Sequence, residues 1–375
     1  MLNEEIPLES WMRQYYFDVD LDIGSSGVQS YSMVELRELT GLTVEEIDRI
    51  VFDDSRTLGD PILRETVARC FGDGDPERVM ITHGSNEAIY LILNALLEPG
   101  DEVVTLDPVY PQFYLLAKSI GARVKTWRLR AEQGFRPDVE EVEALIGPHT
   151  KAIMVNFPHN PTGTSLTRDE QARLIAAADS AGAYLIWDAA FTKLTYDSDP
   201  LPDPVLFYER AISIGTLSKA YGLPGLRIGW FITPKEVLLR CERLRDYINL
   251  HLSPLVELIA RRAIENGDKL CSIRLRQARH NLELLSGWAA AHDQHVEFTR
   301  PCGGVCTFPR LRGVSDDEGF CHRLAREQRV LLVPGRCFNG PQHVRLGFGG
   351  ATADFQESLQ RLSSQLQTHT RAVGA

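Results

Sequence analysis

From about residue 78 the chain alternates short apolar runs with longer stretches in which apolar residues recur every three or four positions. "RVMITHG", "DEVVTLD", "RVKTWRL", "KAIMVNFP", "YLIWDAAF" and "RAISIGTLS" are short and rich in β-branched residues. Between them lie "NEAIYLILNALLE", "PQFYLLAKSIG", "VEEVEALI" and "RDEQARLIAAADSAG", which have helical periodicity. Strands separated by helix-length segments predict an α/β fold, a mostly parallel sheet sandwiched by helices. In such sheets ligands gather beyond the carboxyl ends of the strands. After "WFITPKEV" the pattern predicts a long helical tract over roughly 235–290, broken near Pro254, and then an α+β tail. The first forty-odd residues lack the sheet pattern and are expected to pack against that tail. The expected division is a large domain of 45–275 and a smaller α+β domain built from 1–44 and 276–375.

Composition narrows the function classes. The 375 residues are 43% hydrophobic and 24% charged, with no repeat and no low-complexity block. No run approaches the roughly eighteen apolar residues of a membrane span. "MLNEEIPLESWMRQYY" carries early acids and no apolar core of an export signal, so a cytoplasmic protein is expected. A formal net charge of −11 argues against a nucleic-acid surface. The seven cysteines form no CxxC pair, and Cys302 and Cys306 in "CGGVC" have no histidine cluster beside them. Incidental thiols in a reducing compartment, with no metal site, is the reading this supports.

Polar signatures punctuate the strand ends. In "THGSNEA" (82–88) Gly84 permits a tight turn, and Ser85 and Asn86 sit where a helix begins. They serve either as ordinary caps or as part of a phosphate-binding terminus. "NFPHNPTG" (156–163) places Asn160 before Pro161, which excludes αR geometry and allows a cis bond. "YLIWDAAF" puts Asp188 at the end of an apolar strand, where a carboxylate caps a helix or meets a buried cation. "GTLSKAYGLPGLRIGW" (215–230) combines Lys219, Arg227, Thr216 and Ser218 with glycines that let a loop approach a bound group. A half-buried lysine beside an arginine loses charge easily and becomes a nucleophilic amine, while arginine forks onto phosphate. The segment has no P-loop spacing.

Phosphate donors, a buried acid, an asparagine turn and an activated lysine request one ligand: pyridoxal 5′-phosphate, with its phosphate, basic ring nitrogen and aldehyde. "NFPHNPTG", "WDAAF" and "SKAYGLPGLRIGW", in this order and spacing, resemble the fold-type-I pyridoxal-phosphate enzymes of the class I/II aminotransferase family. The likeness runs over nearly the whole chain. More narrowly, "SSGVQSY", "HGSNEAIYL", "TLSKAYGLPGLRIGW" and "LSPLVE" resemble the members that cyclise hydroxylated arginine into capreomycidine- or streptolidine-type units for peptide antibiotics.

The resemblance implies roles. Lys219 would bind the cofactor covalently and act as catalytic base. Asp188 would pair with the ring nitrogen, Asn160 would donate to the ring 3-oxygen, and Tyr110 in "DPVYPQF" would stack on the ring. Ser85, Asn86, Thr216 and Arg227 would hold the phosphate. Arg345 in "HVRLGF" would clamp a substrate α-carboxylate, with Asn160 near it and a backbone contact near Gly27. Glu9 and Asp22, in the segment expected to cover the site, are candidates to face a guanidinium. A homodimer whose site is completed across the interface is also implied.

Two departures from ordinary aminotransferases stand out. Phe191 occupies the position where a tyrosine usually donates to the 3-oxygen, and Asp54 and Ser55 stand where the neighbouring subunit usually offers a tyrosine. The expected reaction is elimination of the β-hydroxyl of a hydroxylated L-arginine followed by addition of its guanidine to Cβ; the alternative is amino-acid transamination. A ligand-sensing regulator on the same fold would need a DNA-binding module ahead of the sheet, for which some forty residues are too few.

Overall fold

The computed structural model describes residues 4–373, with side chains through residue 369. Its centre is a seven-stranded sheet of β2 (Val79–Thr82), β3 (Glu102–Asp107), β4 (Arg123–Arg128), β5 (Thr150–Asn156), β6 (Tyr184–Asp188), β7 (Ala211–Thr216) and β8 (Gly229–Ile232), in the order β2-β8-β7-β6-β5-β3-β4. Five strands from β7 to β4 run parallel, and β8 is antiparallel to both of its neighbours. This is the mostly parallel sheet that the alternating pattern predicts. Its inner strands are continuous apolar runs because helices cover both faces: Val103, Val104, Ala152, Ile153, Leu185, Ile186 and Ile212 are all fully buried.

The covering helices start and stop for local reasons. Arg168–Ser180 opens on a reciprocal Thr167–Glu170 capping box, and Gln112–Ile120 closes on the left-handed Gly121. The predicted helical tract over 235–290 is three helices, Lys235–Arg245, Pro254–Glu265 and Gly267–Ala291. The break expected near Pro254 covers residues 246–253, and Pro254 itself begins the second helix, since the first turn needs no N–H there. The third helix runs unbroken across residues 275–276.

The remaining strands are short. β1 (Leu21–Asp22) pairs parallel with β12 (Val330–Leu331). β9 (Val296–Glu297) pairs with β11 (Arg310–Leu311). β10 (Cys306–Thr307), β14 (Val344–Gly347) and β13 (Val333–Pro334) form an antiparallel sheet. The helix Pro7–Tyr15 buries Leu8, Trp11 and Tyr15, and Trp11 Nε1 donates to the Leu332 carbonyl at 2.9 Å. The amino-terminal residues are thereby tied to the carboxy-terminal ones. None of the described helices is long and apolar enough to cross a membrane.

Candidate active site

A cavity of about 770 Å³ opens beyond the carboxyl ends of β2, β3, β5, β6 and β7, roofed by the first helix and by residues 20–30. Glu9, Asp22, Gly27, Ser85, Asn86, Tyr110, Asn160, Asp188, Phe191, Lys219, Arg227 and Arg345 all line it. Residues up to 336 positions apart in sequence therefore share one wall. Thr216 does not reach the cavity: its hydroxyl donates to the Ile228 carbonyl at 3.1 Å and lies 3.1 Å from Ser218 Oγ. Ser218 lines the cavity in its place.

Lys219 follows β7 in a turn that closes on Gly222. Its Nζ donates to Ser26 Oγ at 3.0 Å and sits 5.8 Å from the centre of the Phe191 ring. Burial, then the neighbouring Arg345 charge, brings the amine down to about 8. The arginine acting on it is thus Arg345 of β14, whereas proximity along the chain points to Arg227. An amine near 8 is free base in a useful fraction at neutral pH.

Asp188 ends β6 and is buried. One oxygen accepts the Ala190 N–H at 2.9 Å, and among the described residues no cation makes an ion pair with it. Burial therefore pushes it up to about 6 despite Lys219 nearby. A carboxylate held in this way lacks a positively charged partner, and its position on the cavity wall says where that partner must come from.

An anion cradle lies at the other end. The helix Ser85–Leu96 starts from Gly84, whose φ of +75° a side chain would resist, and no side chain caps its first N–H groups. A Cβ on Gly84 would fall 2.6 Å from Arg227 Nη2. Arg227, itself at φ +55°, donates to the Pro224 carbonyl at 2.8 Å and reaches Ser218 Oγ at 3.5 Å, with no acidic partner among the described residues. Free helix amides and an unneutralised guanidinium converge on one spot, which is what a phosphate needs.

Between these ends, Asn156 and Asn160 form a brace. Asn156 donates to the Asp188 carbonyl and accepts the Asn160 N–H, both at 2.9 Å, the second closing over the cis Phe157–Pro158 bond, and the next bond of the turn, Asn160–Pro161, is cis as well. Asn160 Oδ1 receives Arg345 Nη1 at 3.4 Å and the Cys306 thiol at 3.7 Å. Its amide nitrogen is left to donate elsewhere. Arg345 is buried, donates Nε to the Gly24 carbonyl at 2.9 Å, and has no acidic partner among the described residues. Tyr110 donates to Glu9 Oε1 at 2.8 Å and accepts from Asn86 Nδ2 at 3.1 Å. Asp22 Oδ1 accepts the N–H groups of Gly24 and Ser25, leaving its second oxygen uncommitted.

Sequence alone assigns no role to Ser26 or Asn156, and offers Ser218 only as a further hydroxyl beside Thr216. "SSGVQSY" and "TLSKAYG" contain the two serines, but only the fold shows which of several hydroxyls reaches the amine. At the positions of the missing tyrosine, Ser55 Oγ donates to Glu257 Oε2 at 2.8 Å and Asp54 meets His251 Nε2 at 3.1 Å.

The donor set fits pyridoxal 5′-phosphate atom for atom: an amine for its aldehyde, an unpaired buried acid for its ring nitrogen, a free amide for its phenolic oxygen and a cradle for its phosphate. The fold and cavity define a pyridoxal-phosphate enzyme of the aminotransferase fold. The chain belongs to the family "Aminotransferase class I and II", whose model matches residues 53–362, and its cofactor is pyridoxal 5′-phosphate. Capreomycidine synthase of Streptomyces vinaceus is 43% identical over 97% of this chain and 94% of its own. Arginine–pyruvate transaminase AruH of Pseudomonas aeruginosa is 30% identical over 77% of this chain and 75% of its own. The crystal structure of the PLP-dependent cyclase OrfR superposes with a TM-score of 0.94 at 41% identity, covering 98% of each chain.

Proposed function

We propose that this protein is a carbon–oxygen lyase and cyclase acting on a β-hydroxylated L-arginine, which it converts to a cyclic arginine derivative for antibiotic biosynthesis. The observation that carries the reading is the whole-chain likeness to capreomycidine synthase, matched by an equally complete likeness to a solved cyclase.

Pyridoxal phosphate, when bound, supplies the electron-accepting ring that makes the Cα–H bond acidic. The rest falls to the chain. Lys219 takes the Cα proton at Nζ. Asp188 offers the anion that keeps a ring nitrogen protonated, and Ser85, Asn86, Ser218 and Arg227 hold the phosphate, with Thr216 supporting Ser218 from behind. Asn160 donates to the phenolic oxygen and Tyr110 covers the ring. Arg345, with the backbone at Gly27, holds the α-carboxylate. Glu9 and Asp22 at the roof face the substrate's guanidinium, and this pairing selects arginine over neutral side chains. The Cβ–O bond then breaks, its electron pair leaves with the oxygen, and a guanidine nitrogen closes on Cβ. With a terminal nitrogen the ring has six members. Phe191 provides no hydroxyl beside the amine, a difference from ordinary aminotransferases that accords with a changed reaction.

The protein is proposed to work in the cytoplasm as a homodimer. Val51, Phe52, Tyr247 and Leu250 are exposed large apolar groups in the chain segments around Asp54 and His251, the region expected to approach a second copy.

A second reading, transamination, draws on the likeness to an arginine transaminase. Incubation of the purified protein with 3-hydroxy-L-arginine, followed by mass spectrometry, separates the two. The cyclase gives an amino acid lighter by one water with all nitrogens retained. A keto acid, with the cofactor left in its amine form, would establish transamination instead.

A further inference from the structure

We propose that Ser26 relays the proton with which the β-hydroxyl departs, its hydroxyl accepting from the Lys219 amine and donating to the leaving oxygen. The proposal rests on the cyclase reading above.

Ser26 is buried yet lines the cavity, and its Oγ lies 3.0 Å from Lys219 Nζ. It is the one side chain among the described residues hydrogen-bonded to that amine, and its own hydroxyl proton has no acceptor among them. The other charged or titratable groups acting on the amine are Asp188 on β6, Arg345 on β14, Glu9 on the first helix and Cys306 on β10, none of them hydrogen-bonded to Nζ. Phe191, whose ring lies beside the amine, can carry no proton.

The loop that presents Ser26 is pinned on both sides. Asp22 Oδ1 binds the N–H groups of Gly24 and Ser25, while Arg345 Nε donates to the Gly24 carbonyl. A Cβ on Gly347 would lie 1.9 Å from the Ser25 carbonyl oxygen, and one on Gly349 would lie 2.2 Å from that of Gly27. Only glycine at both positions lets the loop lie so close to the strand that carries Arg345. The hydroxyl is therefore fixed relative to the residue proposed to hold the substrate's carboxylate, which is the condition for a useful proton donor.

The step balances. Lys219 Nζ accepts the proton from Cα and passes one to Ser26 Oγ as the serine's own proton moves to the leaving oxygen. The Cβ–O electron pair departs with that oxygen as water, and amine and serine are restored.

The test compares two rates in the cofactor-loaded wild type, Ser26→Ala and Ser26→Thr. One is cyclisation of 3-hydroxy-L-arginine. The other is exchange of the Cα proton of L-arginine in D2O, which needs Lys219 as base but has no hydroxyl to expel. The relay predicts that Ser26→Ala lowers cyclisation about 100-fold and exchange less than about fivefold, while Ser26→Thr keeps both within about fivefold of wild type. Because the result is a ratio measured in one sample, loss of folded protein cancels. In cofactor-free Ser26→Ala, the pH profile of Lys219 methylation should move down by about one pH unit, since a hydrogen bond to the charged amine is lost. Equal losses in both rates, or cyclisation unchanged in Ser26→Ala, would overturn the relay. A wild type that exchanges Cα protons without cyclising would overturn the cyclase reading.

Discussion

Arg345 Nη1 and Asn160 Oδ1 meet at 3.4 Å in the floor of the cavity, joining the strand proposed to hold the substrate to the turn proposed to hold the cofactor ring. The contact is to an amide and not to a carboxylate, so the guanidinium keeps its full charge for a ligand. Replacing it by lysine removes the fork and the bond to the Gly24 carbonyl together. Arg345→Lys is expected to raise KM for the amino-acid substrate by about 10–100-fold while cofactor absorption is retained. Steady-state kinetics alongside a visible spectrum checks both halves.

Gly84 and Arg227 constrain the anion cradle. The Gly84→Ala change places a methyl group 2.6 Å from a guanidinium nitrogen and forces alanine to a φ of +75°. Cofactor affinity is expected to drop at least tenfold as the methyl group pushes the guanidinium out of the cradle, and the backbone strain separately costs the fold about 1–3 kcal/mol. Fluorescence titration of cofactor-free protein measures this directly.

Asp188 gives a pH signature in the cofactor-free protein. Its folded value, about 6, is raised above the unfolded value near 3.8. The folded state thus binds the extra proton between those values, and stability from this group is full below about pH 4 and lost as pH rises to about 6. Asp188→Asn removes the dependence. The stability advantage of the variant over wild type should grow by about 2–3 kcal/mol between pH 4 and pH 7. Denaturant melts of both proteins across that range test the sign, and the variant should also bind the cofactor more weakly.

Much of the cofactor site is legible in the amino-acid sequence. Asp188 ends an apolar strand, Lys219 follows another by three residues, and Gly84 opens a helix, so local pattern alone sets them at the ligand-binding edge of a parallel sheet. What tertiary contact decides is not legible there. Ser26 reaches Lys219 from 193 residues away, and Arg345 reaches Gly24 from 321 residues away. β1 and β12 pair over only two residues each, too few for any periodicity to register. Thr216 ends β7 and Ser218 lies two positions on in the turn that follows, and only the turn determines which hydroxyl meets the cavity.

Glu9 and Asp22 bear on specificity. Glu9 is anchored by the Tyr110 hydroxyl, and one oxygen of Asp22 is uncommitted. The paired substitution Glu9→Gln with Asp22→Asn should raise KM for hydroxyarginine by about 10–100-fold and leave KM unchanged for a substrate with a neutral urea in place of the guanidine. A similar rise for both substrates would count against guanidinium recognition by these acids.

The central claim is that the amine of Lys219 carries the cofactor and moves the Cα proton. Borohydride reduction of the cofactor-loaded protein, followed by digestion and mass spectrometry, reads this without ambiguity. A single pyridoxyl adduct on the peptide containing "TLSKAYG" is predicted, together with no turnover in Lys219→Ala. An adduct on a different lysine, or a Lys219→Ala protein with wild-type turnover, would contradict it.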